Sequence, residues 1–280
     1  DSFFCKQFWL KKGYDYTQKG KSFTDSTAVV DLGVGKNMVS SIRFWLKAFE
    51  INDVSDQSTK LGNYLFGKSG KDIYLEGYGT LCLLHYHLVK TARASIYDLV
   101  FNHFRKEKIE FTKEHLHSFL KRRCLEKGES FYNQNTINKD ISVFIRTYKQ
   151  PDSKKGNIEE EFSGLLTELN LLSVHKSSQE WFRIEVKERK DLPFEIVLFV
   201  ILDMLEEDSG KSISFNQLLI GKNSPGQIFV LNSDGLYNKL MEITDYSNKT
   251  SYTETAGNRV FQFTEKLDKY KVLDDYFNRI

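Results

Sequence analysis

From Val34 to Phe49, apolar side chains recur at Val34, Met38, Ile42, Trp45 and Phe49, three or four positions apart. That spacing predicts a helix over Lys36–Phe49 that buries one face. At about 100° per residue, Lys36, Ser40, Arg43 and Lys47 fall together on the opposite face, a basic outer stripe. The arrangement returns over Asn135–Tyr148. There Ile137, Ile141, Phe144 and Tyr148 point inward, while Lys139, Ser142, Arg146 and Lys149 share the outer side.

Around these two helices the pattern is also mostly helical. Leu10–Gln18 reads as a first helix, and Thr24-Asp25-Ser26 offers capping chemistry before Ala28–Leu32. Ile51–Gly67 has polar turns and an apolar close at Tyr64-Leu65-Phe66, the pattern of a hairpin-like stretch. Leu81–Leu88 and Ile96–Phe104 are apolar helices, and Thr112 opens another. Pro151–Glu161 is the best linker, dense in turn residues and without apolar ones before Ile158. Beyond it, Trp181–Val186 alternates like a strand and Pro193–Leu205 is a buried helix. Ser251–Thr264 reads as a hairpin turned at Ala256-Gly257-Asn258. The predicted fold is mainly α with short β hairpins, built from tandem winged helix-turn-helix-like modules. Its boundaries are 1–75 for an N-terminal DNA-binding module, 76–150 for a second helical module and 151–280 for a C-terminal α+β module.

Composition narrows the partner more than the fold. Forty basic residues against 38 acidic leave a net charge of +2, which excludes a polybasic coating protein. Phosphate binding would then depend on local basic stripes. Aromatic residues reach 14% of the chain, so a core can be built without disulfides. Cys5, Cys82 and Cys124 are odd in number and far apart, which suits reduced thiols in a cytoplasmic protein. No apolar run approaches the roughly 20 residues of a membrane span.

Gly33-Val34-Gly35-Lys36 invites reading as a nucleotide-binding loop. A phosphate loop needs four residues between its glycines and a hydroxyl after its lysine, because the loop amides wrap the phosphates and the hydroxyl binds magnesium. Here the spacer is missing and Asn37 follows, so no nucleotide is expected. What remains is a glycine turn before a helix N-terminus, whose free amides suit a DNA phosphate. The bland reading is a tight turn and a solvated face. His85-Tyr86-His87 and His115-Leu116-His117 place two histidines at i and i+2, which diverge on a helix and make poor metal pairs. Glu159-Glu160-Glu161, Glu206-Glu207-Asp208 and Asp274-Asp275 are adjacent carboxylates that do not converge on a cation. Lys222-Asn223-Ser224-Pro225-Gly226 is a turn signal, and Arg259 follows the Ala256-Gly257-Asn258 turn. No active site is displayed.

Several segments together resemble a known family. They are Phe8-Trp9-Leu10-Lys11-Lys12-Gly13-Tyr14, Leu32-Gly33-Val34-Gly35-Lys36-Asn37-Met38-Val39, Leu84-His85-Tyr86-His87-Leu88, Ser224-Pro225-Gly226 and Thr255-Ala256-Gly257. In this order they resemble an uncharacterised-domain family of bacterial DNA phosphorothioation loci, and within it the nicking component of the single-stranded phosphorothioation defence system. The resemblance runs almost end to end. It implies a metal-dependent endonuclease, using Mg2+ or Mn2+, that nicks double-stranded DNA so that sulfur can enter the backbone. It implies as partners a cysteine desulfurase, a PAPS-reductase-like ATP pyrophosphatase and an ATPase. The DNA-contacting residues expected are Lys36, Asn37, Ser40, Arg43 and Lys47, then Lys139 and Arg146, with Lys222 and Arg259 as outliers. His85 and His87 belong to a family motif and are the candidate catalytic residues. A homodimer is also expected, since such modules often pair. Two other functions stay open: a non-catalytic DNA-binding recruiter or regulator, and an adaptor that binds proteins.

Overall fold

The computed structural model describes residues 3–150, 164–176, 179–208 and 210–279, and it is mainly α-helical with short antiparallel strands. The chain forms two compact units, Asp1–Ile184 and Glu185–Ile280.

The first unit opens with α1 (Trp9–Gln18), α2 (Ala28–Leu32) and α3 (Lys36–Ala48). α1 and α3 approach closely because position 13 carries no side chain. A Cβ on Gly13 would stand 2.6 Å from side-chain methyls of both Ile42 and Leu46, so any larger residue would have to displace them. Gly33 ends α2 in the left-handed region, at φ 59°, which a residue with a Cβ adopts only at a cost. α2 itself begins at Thr27 without a side-chain cap. On α3 the expected inward residues Ile42, Trp45 and Phe49 are fully buried, and Val34 and Met38 are half-buried at its entrance.

The hairpin expected within residues 51–67 does not form. Asn52 and Ser58 make a single bridge, and Tyr64, Leu65 and Phe66 lie in α4 (Lys60–Phe66), capped by Thr59. Nor do residues 1–75 and 76–150 make separate modules. After α5 (Tyr78–Lys90), the Thr91 hydroxyl donates to the Ala48 carbonyl at 2.8 Å. The rings of Trp45 and Tyr97 meet edge to face at 6.1 Å. Apolar faces on both sides of residue 75 therefore share one core.

α6 (Ser95–Asp98), a π-helical turn over Leu99–Phe104 and α7 (Arg105–Glu107) make one continuous winding. β1 (Glu110–Phe111), α8 (Lys113–Lys127) and α9 (Gln134–Tyr148) follow, then β2 (Ser173–Lys176) and β3 (Glu180–Arg183). The three strands lie in the order β1-β3-β2, with Phe111 opposite Phe182 and Val174 opposite Phe182. Residues 164–184 thus complete a sheet begun at Glu110, and belong with the first unit instead of with a module starting at 151. The linker expected at Pro151–Glu161 lies outside the described residues.

The second unit is built on α10 (Phe194–Asp208), whose Ile196 to Ile201 are all buried. Each such side chain contributes about 1.5–3 kcal/mol on burial. β4 (Ser212–Ser214), α11 (Phe215–Ile220), α12 (Pro225–Ile228) and α13 (Ser233–Tyr246) follow. The hairpin β5 (Thr250–Thr255) and β6 (Asn258–Phe263) turns where expected, and α14 (Lys269–Arg279) packs on α10. Strand order is β4-β6-β5. Both units therefore share a plan of helix, strand, helices, strand and strand, with two α-helices between the first two strands in the first unit and three in the second, and with the first strand paired to the third. Among the described residues, no helix is long and apolar enough to cross a membrane.

Candidate nucleic-acid interface

α9 is amphipathic in the sense expected, and its start is fixed by Asn133, whose side chain accepts from the Thr136 amide at 3.0 Å. Ile137, Ile141, Phe144 and Tyr148 are buried. Asn135, Asn138, Lys139, Ser142 and Arg146 are exposed along the other side, one stripe at helical spacing. This stripe lines a groove of about 730 Å3, whose remaining walls are Phe3, Phe4 and Lys6 from the N-terminal segment and Met38 at the head of α3. The N-terminal wall is anchored, because the Trp45 indole N–H donates to the Phe3 carbonyl at 2.9 Å. The Arg146 guanidinium stacks over the buried ring of Phe4, 4.5 Å from its centre. That contact orients the charge without neutralising it. Among the described residues, neither Lys139 nor Arg146 has a carboxylate partner.

The outer stripe of α3 fares differently. Lys36 and Asn37 are exposed at the uncapped N-terminus of the helix. Ser40 is exposed too, its hydroxyl donating back to the Lys36 carbonyl at 3.4 Å. Lys47 does not join them: it is buried, donating to the Val54 carbonyl and pairing with Asp56, both at 2.8 Å. Arg43 grips the same Asp56 through two nitrogens, at 3.0 and 2.6 Å. Burial alone would raise the Asp56 carboxyl. Hydrogen bonds from Arg43 and Lys47 outweigh that and hold it below its usual 3.8. The stripe is consumed because Asn52 and Asp53 fold the following loop into a turn that delivers a carboxylate under the helix. A smaller hollow of about 430 Å3 lies here, and the exposed Arg93 lines it beside Ser40 and Arg43.

His85 and His87 are core residues. His85 is wholly buried, its Nδ1 2.8 Å from the Tyr148 hydroxyl and its ring against Phe101. His87 is buried with Nδ1 2.8 Å from Glu50. Neither lines the groove. Lys222 and Arg259 belong to the second unit. Lys222 precedes the Ser224 cap of α12, and Arg259 pairs with Glu254 at 3.3 Å while stacking on Phe215. The structure thus gathers Lys139, Ser142 and Arg146 into one groove, with Met38 beside the exposed Lys36 and Asn37.

The sequence reading missed Lys6, Asn135, Asn138 and the two phenylalanines. The asparagines carry a local signal, since they sit on the Lys139 stripe. The N-terminal wall carries none, because it reaches α9 only through the fold.

A helical protein with a twice-drawn strand-and-helix path and a cationic groove on its first unit is what these features define. The chain belongs to the DUF4007 family, described as a protein of unknown function, which matches residues 1–277. It is similar to an SspB crystal structure, with a TM-score of 0.85 and 25% identity over 99% of this chain and 86% of that one. A magnesium ion-bound SspB crystal structure matches over the same shares with a TM-score of 0.87 and 24% identity. Among curated proteins none matches the chain. Among the described residues, no group of three or more His, Cys, Asp and Glu is gathered to hold a metal ion. Such a donor set for the Mg2+ or Mn2+ implied by the resemblance is thus not found among the described residues.

Proposed function

We propose that this protein is the DNA-binding and nicking component of a bacterial DNA phosphorothioation defence system. The observation that carries the binding is the unneutralised pair Lys139 and Arg146 on the groove-facing side of α9. Two cations without a carboxylate partner among the described residues, beside amide and hydroxyl side chains, are suited to phosphate oxygens. On this reading α9 and the β2-β3 pair make the DNA-facing side of the first unit. Lys36 and Asn37 adjoin Met38, which lines the groove at the head of α3. The nicking step and the sulfur-transfer partners rest on the family motifs and on the likeness to SspB. On this reading the protein opens one strand for a cysteine desulfurase, a PAPS-reductase-like ATP pyrophosphatase and an ATPase to act on.

A plasmid assay tests both parts. Supercoiled plasmid is expected to be retained by the protein in low salt and converted to open circle with Mg2+ or Mn2+. The double substitution Lys139→Glu and Arg146→Glu is expected to weaken retention at least about tenfold and to make the dependence on salt shallower by roughly two contacts. Unchanged binding in that variant overturns the assignment of the interface. Tight binding without relaxation under either metal favours a second reading, a recruiter that holds DNA without cutting. The lack of a metal-ligand cluster among the described residues speaks for that alternative.

A further inference from the structure

The groove has a shape that a duplex-reading helix does not. A helix that reads base edges enters a major groove about 12 Å wide, while its own diameter with side chains is about 10–12 Å. Nothing else fits beside it. On α9 the outer stripe is instead one wall of a trough, because Phe3, Phe4 and Lys6 run along it and Arg146 lies on the Phe4 ring. A volume of about 730 Å3 is ample for nucleotides taken out of a duplex.

The lining has the matching chemistry. Sites for unpaired strands combine cations that follow the phosphates with aromatic faces on which bases stack. The half-buried Phe3 and the cations Lys6, Lys139 and Arg146 supply these, and Asn135 and Asn138 supply amides. Asn138 is also held from behind. The His117 Nδ1–H donates to its Oδ1 at 2.8 Å, and the Tyr132 hydroxyl lies 3.3 Å from the other ring nitrogen. With one lone pair of its oxygen engaged by His117, the Asn138 amide is held in the orientation that leaves its NH2 to donate, suited to a phosphate oxygen or a base carbonyl.

From this geometry we infer that the groove binds unpaired nucleotides of a single DNA strand, and that His117 is a positioning residue that sets Asn138 as a donor toward that strand. The inference rests on the nucleic-acid reading of the same groove and names its substrate form.

The test compares a short labelled single strand, the blunt duplex of the same sequence and a duplex with a central gap, by fluorescence anisotropy with the full chain at one salt concentration. The single strand and the gapped duplex are expected to bind about tenfold tighter than the blunt duplex, the equivalent of one stacked base. Asn138→Asp keeps the size but presents an acceptor, and is expected to erase that preference. His117→Ala is expected to weaken the gapped duplex about threefold, within the usual worth of one hydrogen bond, and His117→Gln to restore it through its own amide N–H. All these side chains are at least partly exposed, so matched thermal melts show that the variants fold. If blunt and gapped duplex bind equally and Arg146→Glu weakens both, the interface stands and the single-strand inference falls. If no form of DNA binds, both fall. A preference for the gap that survives Asn138→Asp and His117→Ala removes the role given to His117.

Discussion

The two units share one plan with opposite surfaces. In the first, the sheet order β1-β3-β2 frames α9, whose outer side shows Asn135, Asn138, Lys139, Ser142 and Arg146. In the second, the order β4-β6-β5 frames α13, whose exposed residues include Asp234, Glu242 and Asp245. The one lysine of α13, Lys239, is turned inward, donating to the Lys190 carbonyl at 3.1 Å and pairing with Glu242 at 2.9 Å. Core-facing residues fix the path, and outward-facing residues choose the partner. By this criterion the proposed DNA contact falls to α9, whose outer side is cationic, and not to α13, whose outer side is acidic, although each is the last α-helix before the final two strands of its unit.

The comparison breaks first at the cores. Phe144→Ala on α9 and Leu240→Ala on α13 each remove a side chain with no exposed surface. The expected losses are about 3–5 kcal/mol for the phenylalanine and about 2–5 kcal/mol for the leucine. Denaturant melts of the full chain measure both, and two separate transitions would assign each loss to its unit. A loss below about 1 kcal/mol at either position would mean that the core shared by path and helix has been misassigned.

A smaller effect lies at the start of the helix that follows the first strand of each unit. Thr112 follows β1 and caps α8: its hydroxyl accepts from the His115 amide at 3.4 Å while His115 Nδ1 accepts from the Thr112 amide at 3.3 Å. Ser214 ends β4 and caps α11 in the same reciprocal way with Gln217, at 3.1 and 3.2 Å. Thr112→Ala and Ser214→Ala are each expected to cost about 1 kcal/mol. The buried Thr112 is expected to cost more than the half-buried Ser214, read as the difference between the two midpoints. Equal midpoints would show that burial of the cap adds nothing.

These caps also show what could be read from the chain alone. Where one element's periodicity decides the structure, as on α3, α9 and α10, the inward residues follow from local spacing. β1 is two residues long and carries no period, so the path it begins is not visible, nor is the unit boundary it implies. The fate of Arg43 and Lys47 depends on Asp56, brought under α3 by a loop turned on its own side-chain hydrogen bonds. A helical projection cannot contain that carboxylate. The groove's cationic residues sit on a readable stripe, yet its second wall comes from Phe3 and Phe4, across the whole first unit. The histidine motif is visible in the chain, but its burial among Tyr148, Phe101 and Glu50 is a property of the core that local spacing does not carry.

The smallest expected effect contrasts one carboxylate from each unit. Asp56 is held below its usual 3.8, since hydrogen bonds from Arg43 and Lys47 outweigh the upward push of burial. A lowered folded value gives stability above the unfolded value that is lost as pH falls through the folded one. Glu195 goes the other way. Burial raises it above its usual 4.5 despite Arg279 at 2.7 Å, and its Oε2 has no hydrogen-bond partner among the described residues. A raised folded value gives a contribution that is complete below 4.5 and is lost as pH rises through the folded one. Acidification toward pH 4.5 is therefore expected to favour the second unit through Glu195, and further acidification to weaken the first through Asp56. Glu195→Gln mimics the protonated form, so it is expected to flatten the second unit's slope above pH 4.5 and leave the first unit's acid limb alone. Asp56→Asn is expected to flatten that acid limb and spare the second unit. Thermal melts across this range decide it: a Glu195→Gln slope as steep as that of the parent chain would mean that Arg279, and not burial, governs that carboxylate.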